Sequence, residues 1–213
     1  MMKTHELPPP VVRYGADSSV PLAICVFCGA RPGHREAISV AARETGALIG
    51  SRGHHLVYGA GGTGLMGEVA RSVWSSGGSI TGYAPQFIYE RERDLAMPQQ
   101  TLHITKNLFE RKRRMIKHAD AFIALPGGYG TLDEILEVLS LACLDIGHKP
   151  LILLNTENFW QPLVDLANSL HATGFTDRSP GSLFRTARSP AEAIALAEQA
   201  CRAAPGVPAG AVQ

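Results

Sequence analysis

Leu125-Pro126-Gly127-Gly128-Tyr129-Gly130-Thr131-Leu132-Asp133-Glu134 reads as the end of an apolar strand, a glycine-rich turn and the start of a helix with acid in its first turns. Such a junction aims unpaired backbone N–H groups at whatever lies above it, which makes it a ready site for a phosphate or another anion. On either side of it, apolar runs of strand length alternate with helical patterns from residue 22 to about residue 171. The pattern predicts strands near 22–28, 55–59, 79–83, 101–105, 120–125 and 150–154, and helices near 33–51, 64–76, 107–118, 131–144 and 159–171. The runs at 22–27, 121–125 and 151–154 are apolar on both faces, as expected of parallel strands covered by helices on each side. The expected fold class is therefore α/β, a doubly wound parallel sheet with helices on both faces. A last helix follows Ser189-Pro190, where serine can cap and proline fits the first turn.

A chain of 213 residues with 45% apolar content buries one large core, and its pattern offers no second one. The expected organisation is a single nucleotide-binding domain over residues 22–203, with a flexible extension at 1–21 and a disordered tail at 204–213. The formal charge of +1 gives no global reason to expect nucleic acid or an anionic membrane as partner, so anion binding must be local. Residues 1–21 lack the apolar stretch of a signal peptide, and no run reaches the roughly 18 apolar residues of a membrane span, so a cytoplasmic location is expected. Cys25 and Cys28 form a C-x-x-C, but inside a strand rather than at a redox turn; they read as buried thiols, with redox or metal use as the alternative. No metal-ligand spacing emerges among the scattered histidines.

Residues Gly59 to Gly67 form a second glycine-rich strand-to-helix junction, in which Gly61 and Gly62 are candidate ligand contacts. In sheets of this class ligands collect beyond the carboxyl ends of the strands, where both loops must lie. The spacing does not match a dinucleotide fingerprint or a P-loop, so a mononucleotide fits better than NAD or ATP. Glu134 is the leading catalytic candidate, against the alternative that Thr131-Leu132-Asp133-Glu134 is a capping box in which Glu134 reaches back to the Thr131 N–H. Asp133 reads as a first-turn acid favoured by the helix dipole. Six basic residues between Lys106 and Lys117 suggest a solvated helix face, with Leu108, Met115 and Ala119 as the stripe toward the sheet. That helix also opens on the ligand edge, where Arg111 can hold a phosphate or carboxylate. The charged segment at 87–94 reads as an exposed helix or as a flap over the site.

Taken together, Cys25-Val26-Phe27-Cys28-Gly29, the Gly61–Gly67 loop ending in Gly-Leu-Met-Gly, Glu110-Arg111-Lys112 and the Pro126–Glu134 motif closely resemble the LOG (lonely guy) family over about residues 22–175. That resemblance implies a Rossmann-like fold and a phosphoribohydrolase that releases free base and ribose 5-phosphate from cytokinin riboside 5'-monophosphates or AMP. It implies no cofactor and no metal, and a homodimer. By motif, Arg111 and Glu134 correspond to the family's catalytic pair. Glu92, Lys112, Gly127, Gly128, Tyr129, Gly130, Thr131, Leu132, Asp133 and Ser140 correspond to its nucleotide site. The lysine decarboxylase label carried by many relatives is not supported, since no lysine stands in an obvious pyridoxal phosphate site. Leu108-Phe109, Ser140-Leu141, Cys143-Leu144-Asp145 and Ala60 depart from the family pattern, the last a mild change if its φ is negative. Other readings are a general purine 5'-monophosphate nucleosidase in salvage and a nucleotide-binding protein without catalysis. A molybdenum-cofactor carrier or DNA-processing relative on the same sheet rests on fold analogy alone.

Overall fold

The computed structural model of the protein describes residues 20–92, 97–147 and 149–203. The proposed extension, apart from residues 20 and 21, and the tail lie outside them, as do Arg93 and Asp94 and the side chain of Glu92. Seven strands form one wholly parallel sheet: β1 (Ala23–Phe27), β2 (His55–Tyr58), β3 (Ser79–Pro85), β4 (Thr101–Thr105), β5 (Ala121–Ala124), β6 (Leu151–Leu154) and β7 (Arg185–Ala187), in the order β4-β3-β2-β1-β5-β6-β7. Beyond β1 the chain steps outward through β2, β3 and β4, then returns to lay β5 on the other side of β1. That reversal opens a crevice at the carboxyl ends of β1 and β5, the place where this architecture holds ligands. β1 is fixed there from both sides, with Ile24 in register with Leu56 of β2 and with Ala121 of β5.

Alternate residues of β1 divide between two cores, because successive side chains of a strand point to opposite faces. Ile24 and Val26 join the core beneath α1 (Glu36–Ser51), α2 (Gly64–Ser75) and α8 (Pro190–Ala203). Ala23, Cys25 and Phe27 join the core that holds Met115 of α4 (Leu108–His118), Ile135 and Val138 of α5 (Tyr129–Cys143), and Trp160 at the head of α6 (Gln161–Ala172). The indole of Trp160 donates to the Ala124 carbonyl at 3.1 Å, so its one polar atom is satisfied inside that core. α3 (Gln86–Glu92) makes the start of the 87–94 segment a helix that leaves Phe87 and Tyr89 exposed. The short α7 (Pro180–Leu183) and β7 close the far edge, where Ile152 pairs with Arg185.

α1 and α2 approach closely enough to require glycine. A Cβ on Gly46 would stand 2.4 Å from the Val69 carbonyl oxygen, and one on Gly50 would stand 2.6 Å from that of Val73. Both obstacles are backbone and cannot rotate away. Gly46→Ala is therefore expected to destabilise the fold by about 1–3 kcal/mol, although alanine is the better helix former by about 1 kcal/mol. A urea titration of both proteins checks this through the shift in midpoint at unchanged slope.

Two local expectations are corrected. α5 begins at Tyr129 with extended Gly128 as its cap residue, two residues earlier than expected, so Thr131 lies inside the helix and there is no capping box. Leu108 is exposed at the mouth of α4, and the buried stripe of that helix is Lys112 and Met115 with Ala119 at its end.

Candidate active site

The crevice is stitched together at Gly29. Its N–H donates to the Pro126 carbonyl and its own carbonyl accepts from the Leu65 N–H, each at 3.1 Å, which ties both glycine-rich loops to the end of β1. The first intrahelical bond of α5 runs from the Leu132 N–H to the Gly128 carbonyl at 3.0 Å. The N–H groups of Tyr129, Gly130 and Thr131 come before that bond and have no carbonyl of the helix to serve. A Cβ on Gly127 would stand 2.1 Å from Thr131 Oγ1, so only glycine lets the turn fold over the first turn of α5. Tyr129, 92% exposed, stands out from that turn toward solvent.

α4 and α5 both descend from the carboxyl edge of the sheet, so their first turns lie side by side. That arrangement brings Arg111 Nη1 to 3.0 Å from Glu134 Oε1, with Glu134 buried and the Arg111 side chain 13% exposed. The approach lacks the alignment of a hydrogen bond, and Glu134 Oε1 is a buried oxygen without one. Arg111 Nε is held separately, donating to the Tyr83 carbonyl at 3.0 Å. Burial pushes the Glu134 carboxyl above the ordinary carboxylate range; Arg111 pulls against that shift and Asp133 adds to it. A desolvated carboxylate beside a fixed guanidinium suits a site where positive charge develops on a substrate.

Lys112 is only 6% exposed, and its ammonium donates to Asp133 Oδ1 and Glu137 Oε2, each at 2.9 Å. Burial pulls its pKa down, but the bonds to the two carboxylates outweigh it and leave the lysine above its ordinary value. Lys112 thus links α4 to α5 beside the Arg111–Glu134 pair, and Asp133 is its partner rather than a first-turn acid. Leu132 is half-buried next to them. In the first glycine-rich loop, Gly61 lies under the Met66 side chain and the Gly62 carbonyl accepts from Arg71 Nη1 at 3.1 Å. Ala60 of this loop has a φ of +56°, so the departure from glycine falls on a left-handed backbone and is not the mild change expected. Ser140 is exposed in the last turns of α5, roughly 13 Å along the helix axis from Thr131, and stands apart from this cluster.

Sequence reading missed two neighbours of the pair, Gly59 and the Tyr83 carbonyl, since both act through backbone that only the tertiary fold brings to Arg111. Cys25 and Cys28 are free, buried and directed into opposite cores. Burial, with Glu134 adding to it, pushes both thiols up, which keeps them neutral and unreactive. Among the described residues no group of three or more His, Cys, Asp or Glu side chains is placed to hold a metal ion, and no helix is long and apolar enough to cross a membrane.

A separate titratable cluster lies on the same face of the sheet, at the opposite end of α4. His55 contacts Ser79 Oγ at 2.7 Å and Thr81 Oγ1 at 2.9 Å, and its ring is 5.4 Å from that of His118, which bonds the Tyr83 hydroxyl at 2.9 Å. Burial first, then His118, lowers the His55 pKa to about 4. The unfolded chain therefore takes up the His55 proton before the folded one does. The contribution of neutral His55 to stability is complete above a pH of about 6.5 and is lost as pH falls through about 4. In urea titrations at pH 7 and pH 4.5, His55→Asn is expected to lose less stability on acidification than the natural protein.

Residues 66–197 match the family described as "Possible lysine decarboxylase". The chain is 40% identical over 174 residues to "Probable cytokinin riboside 5'-monophosphate phosphoribohydrolase LOG4" of Oryza sativa subsp. japonica, covering 80% of this chain and 74% of that protein. It is 38% identical over 174 residues to "Cytokinin riboside 5'-monophosphate phosphoribohydrolase LOG1" of Arabidopsis thaliana, covering 80% of each. Among solved structures, the Moco carrier protein of Chlamydomonas reinhardtii superposes with a TM-score of 0.66 at 22% identity, over 86% of this chain and 99% of that one. The molybdenum cofactor binding protein of Rippkaea orientalis does so with a TM-score of 0.64 at 21% identity, over 85% and 98%. At such identity what the two structures share with this chain is the Rossmann-like fold alone. The family match and the relatives at about two-fifths identity go further: the chain belongs to the LOG family, the group whose sequence model carries the lysine decarboxylase description.

Proposed function

We propose that the protein is a cytokinin riboside 5'-monophosphate phosphoribohydrolase that also accepts AMP, cleaving the N-glycosidic bond to give free base and ribose 5-phosphate. The observation that carries this reading is the pairing of Arg111 with the buried Glu134 beside the unserved N–H groups at the start of α5. The substrate phosphate sits on the N–H groups of Gly128, Gly130 and Thr131, where the helix dipole favours an anion. The ribose then lies over the pair. As the bond from C1' to the base nitrogen breaks, its electrons leave with the base and positive charge develops on the sugar, opposite the Glu134 carboxylate. Water supplies hydroxide to C1', and its proton ends on the departing base. Arg111 holds Glu134 ionised and bears on the sugar-phosphate. Lys112 and Asp133 support the pair, with Gly127, Tyr129, Leu132, Gly61, Gly62 and Glu92 as further contacts.

We read residues 22–203 as the working unit, acting as a homodimer on a cytoplasmic nucleotide pool. Support for the dimer comes from large apolar side chains left exposed on α4 and α5 and just beyond α5 and α6, among them Phe109, Leu136, Leu144 and Phe175. Ser140 is exposed one helical turn from Leu136 and from Leu144, so any part it plays in a nucleotide site falls to the site of the second copy.

The test compares AMP with adenosine as substrates for the purified protein. Release of adenine from AMP alone, matched by ribose 5-phosphate, supports the reading, and release from both or from neither contradicts it. Binding of AMP without release would favour a nucleotide-binding protein. Equal rates on AMP and on an N6-prenylated nucleotide would favour a general purine 5'-monophosphate nucleosidase.

A further inference from the structure

The first glycine-rich loop sits at the ligand edge and is tied into the protein at two points: the Leu65 N–H bonds the Gly29 carbonyl and the Gly62 carbonyl accepts from Arg71. At Gly59 the loop also leaves space beside the site. A Cβ on Gly59 would stand 1.7 Å from Arg111 Nη2 and 2.9 Å from Arg111 Cζ, with Met66 Sδ next at 3.3 Å. All three atoms belong to the ends of flexible side chains. Gly46 and Gly50 differ in kind, since there the obstacle is the backbone of a neighbouring helix. Gly59 also has no left-handed φ, so its own backbone accepts a side chain.

We propose that Gly59 is a positioning residue for the reaction, the missing side chain at the end of β2 that lets the Arg111 guanidinium lie flat between the Tyr83 carbonyl and Glu134. The guanidinium is fixed on three sides. Nε donates to Tyr83 at 3.0 Å, Nη1 meets Glu134 at 3.0 Å, and Nη2 occupies the volume that any residue other than glycine would fill at position 59. Alanine there leaves the sheet in place and expels the arginine, so the cost falls on catalysis rather than on folding. This inference rests on the reading of Arg111 and Glu134 as the reacting pair.

The experiment measures kcat and KM for AMP in the natural protein, Gly59→Ala, Arg111→Lys and the double variant. It also records the Arg111 Nε–H resonance by NMR, which the Tyr83 bond protects from solvent exchange. Gly59→Ala is expected to lose about 100-fold in kcat, the scale of a misplacement of about 1 Å, with KM changed by less than about threefold. In the Arg111→Lys background, where no Nη2 remains to be displaced, it is expected to cost less than about threefold. The protected resonance should disappear in Gly59→Ala while thermal unfolding stays near that of the natural protein. A protected resonance with undiminished kcat would overturn the proposal, as would an equal loss in the Arg111→Lys background, which would mean that Gly59 acts independently of Arg111. Failure of the underlying reading would show separately, as full activity in Arg111→Ala assayed alongside these variants.

Discussion

Glu134→Gln is expected to lower kcat for base release by about 1,000-fold while nucleotide binding persists, because the amide keeps the shape of the side chain and removes the charge that faces the developing cation. The change should not unfold the protein. Burial raises the Glu134 carboxyl above its ordinary value, so ionised Glu134 works against folding at neutral pH; the stability that a neutral side chain gives here is complete at pH values below the unfolded pKa and is lost as pH rises through the raised one. A neutral isostere escapes that loss. Its melting temperature at pH 7 is therefore expected to match or exceed that of the natural protein, with the difference vanishing below a pH of about 4. Paired measurements of single-turnover rate, nucleotide affinity and thermal unfolding across pH check all three statements.

The second large effect falls on Arg111. Arg111→Ala removes a charge-assisted contact in a buried setting, where such a loss costs on the order of 2–5 kcal/mol, or roughly 30- to 5,000-fold in kcat/KM. It also removes the main influence holding Glu134 ionised. With that guanidinium gone, burial and Asp133 act unopposed by it, and the carboxyl pKa rises further. The acidic limb of the pH-rate profile should consequently move to higher pH in Arg111→Ala, and a profile that stays in place would show that Glu134 does not work as a carboxylate.

How far the sequence anticipates this site depends on whether the governing contacts are local. The strands at 22–28, 120–125 and 150–154 are legible because a parallel strand buried on both faces leaves an uninterrupted apolar run, and the glycine-rich junction at 125–134 is legible because a strand, a turn and a helix follow one another in ten residues. β7 is not, since three residues, Arg185-Thr186-Ala187, carry no period and become a strand only by pairing with β6. The capping-box reading of Thr131 fails for a related reason: the motif is local, but the Glu134 side chain answers to Arg111 on another helix. Lys112 looks solvated in a run of basic residues and is buried because Asp133 and Glu137 come to it from α5. The left-handed φ of Ala60 and the clearance at Gly59 likewise belong to backbone packing, which residue identity alone does not encode.

Whether Arg111 and Glu134 drive glycosidic hydrolysis of a nucleoside 5'-monophosphate is decided by the release of free base from isopentenyladenosine 5'-monophosphate and from AMP, without added metal, by the natural protein and by Glu134→Gln side by side. The natural protein is expected to give one free base and one ribose 5-phosphate per nucleotide consumed, and the variant to lose both products almost completely. Undiminished release by Glu134→Gln, or no release by a natural protein that binds the nucleotide, would contradict it.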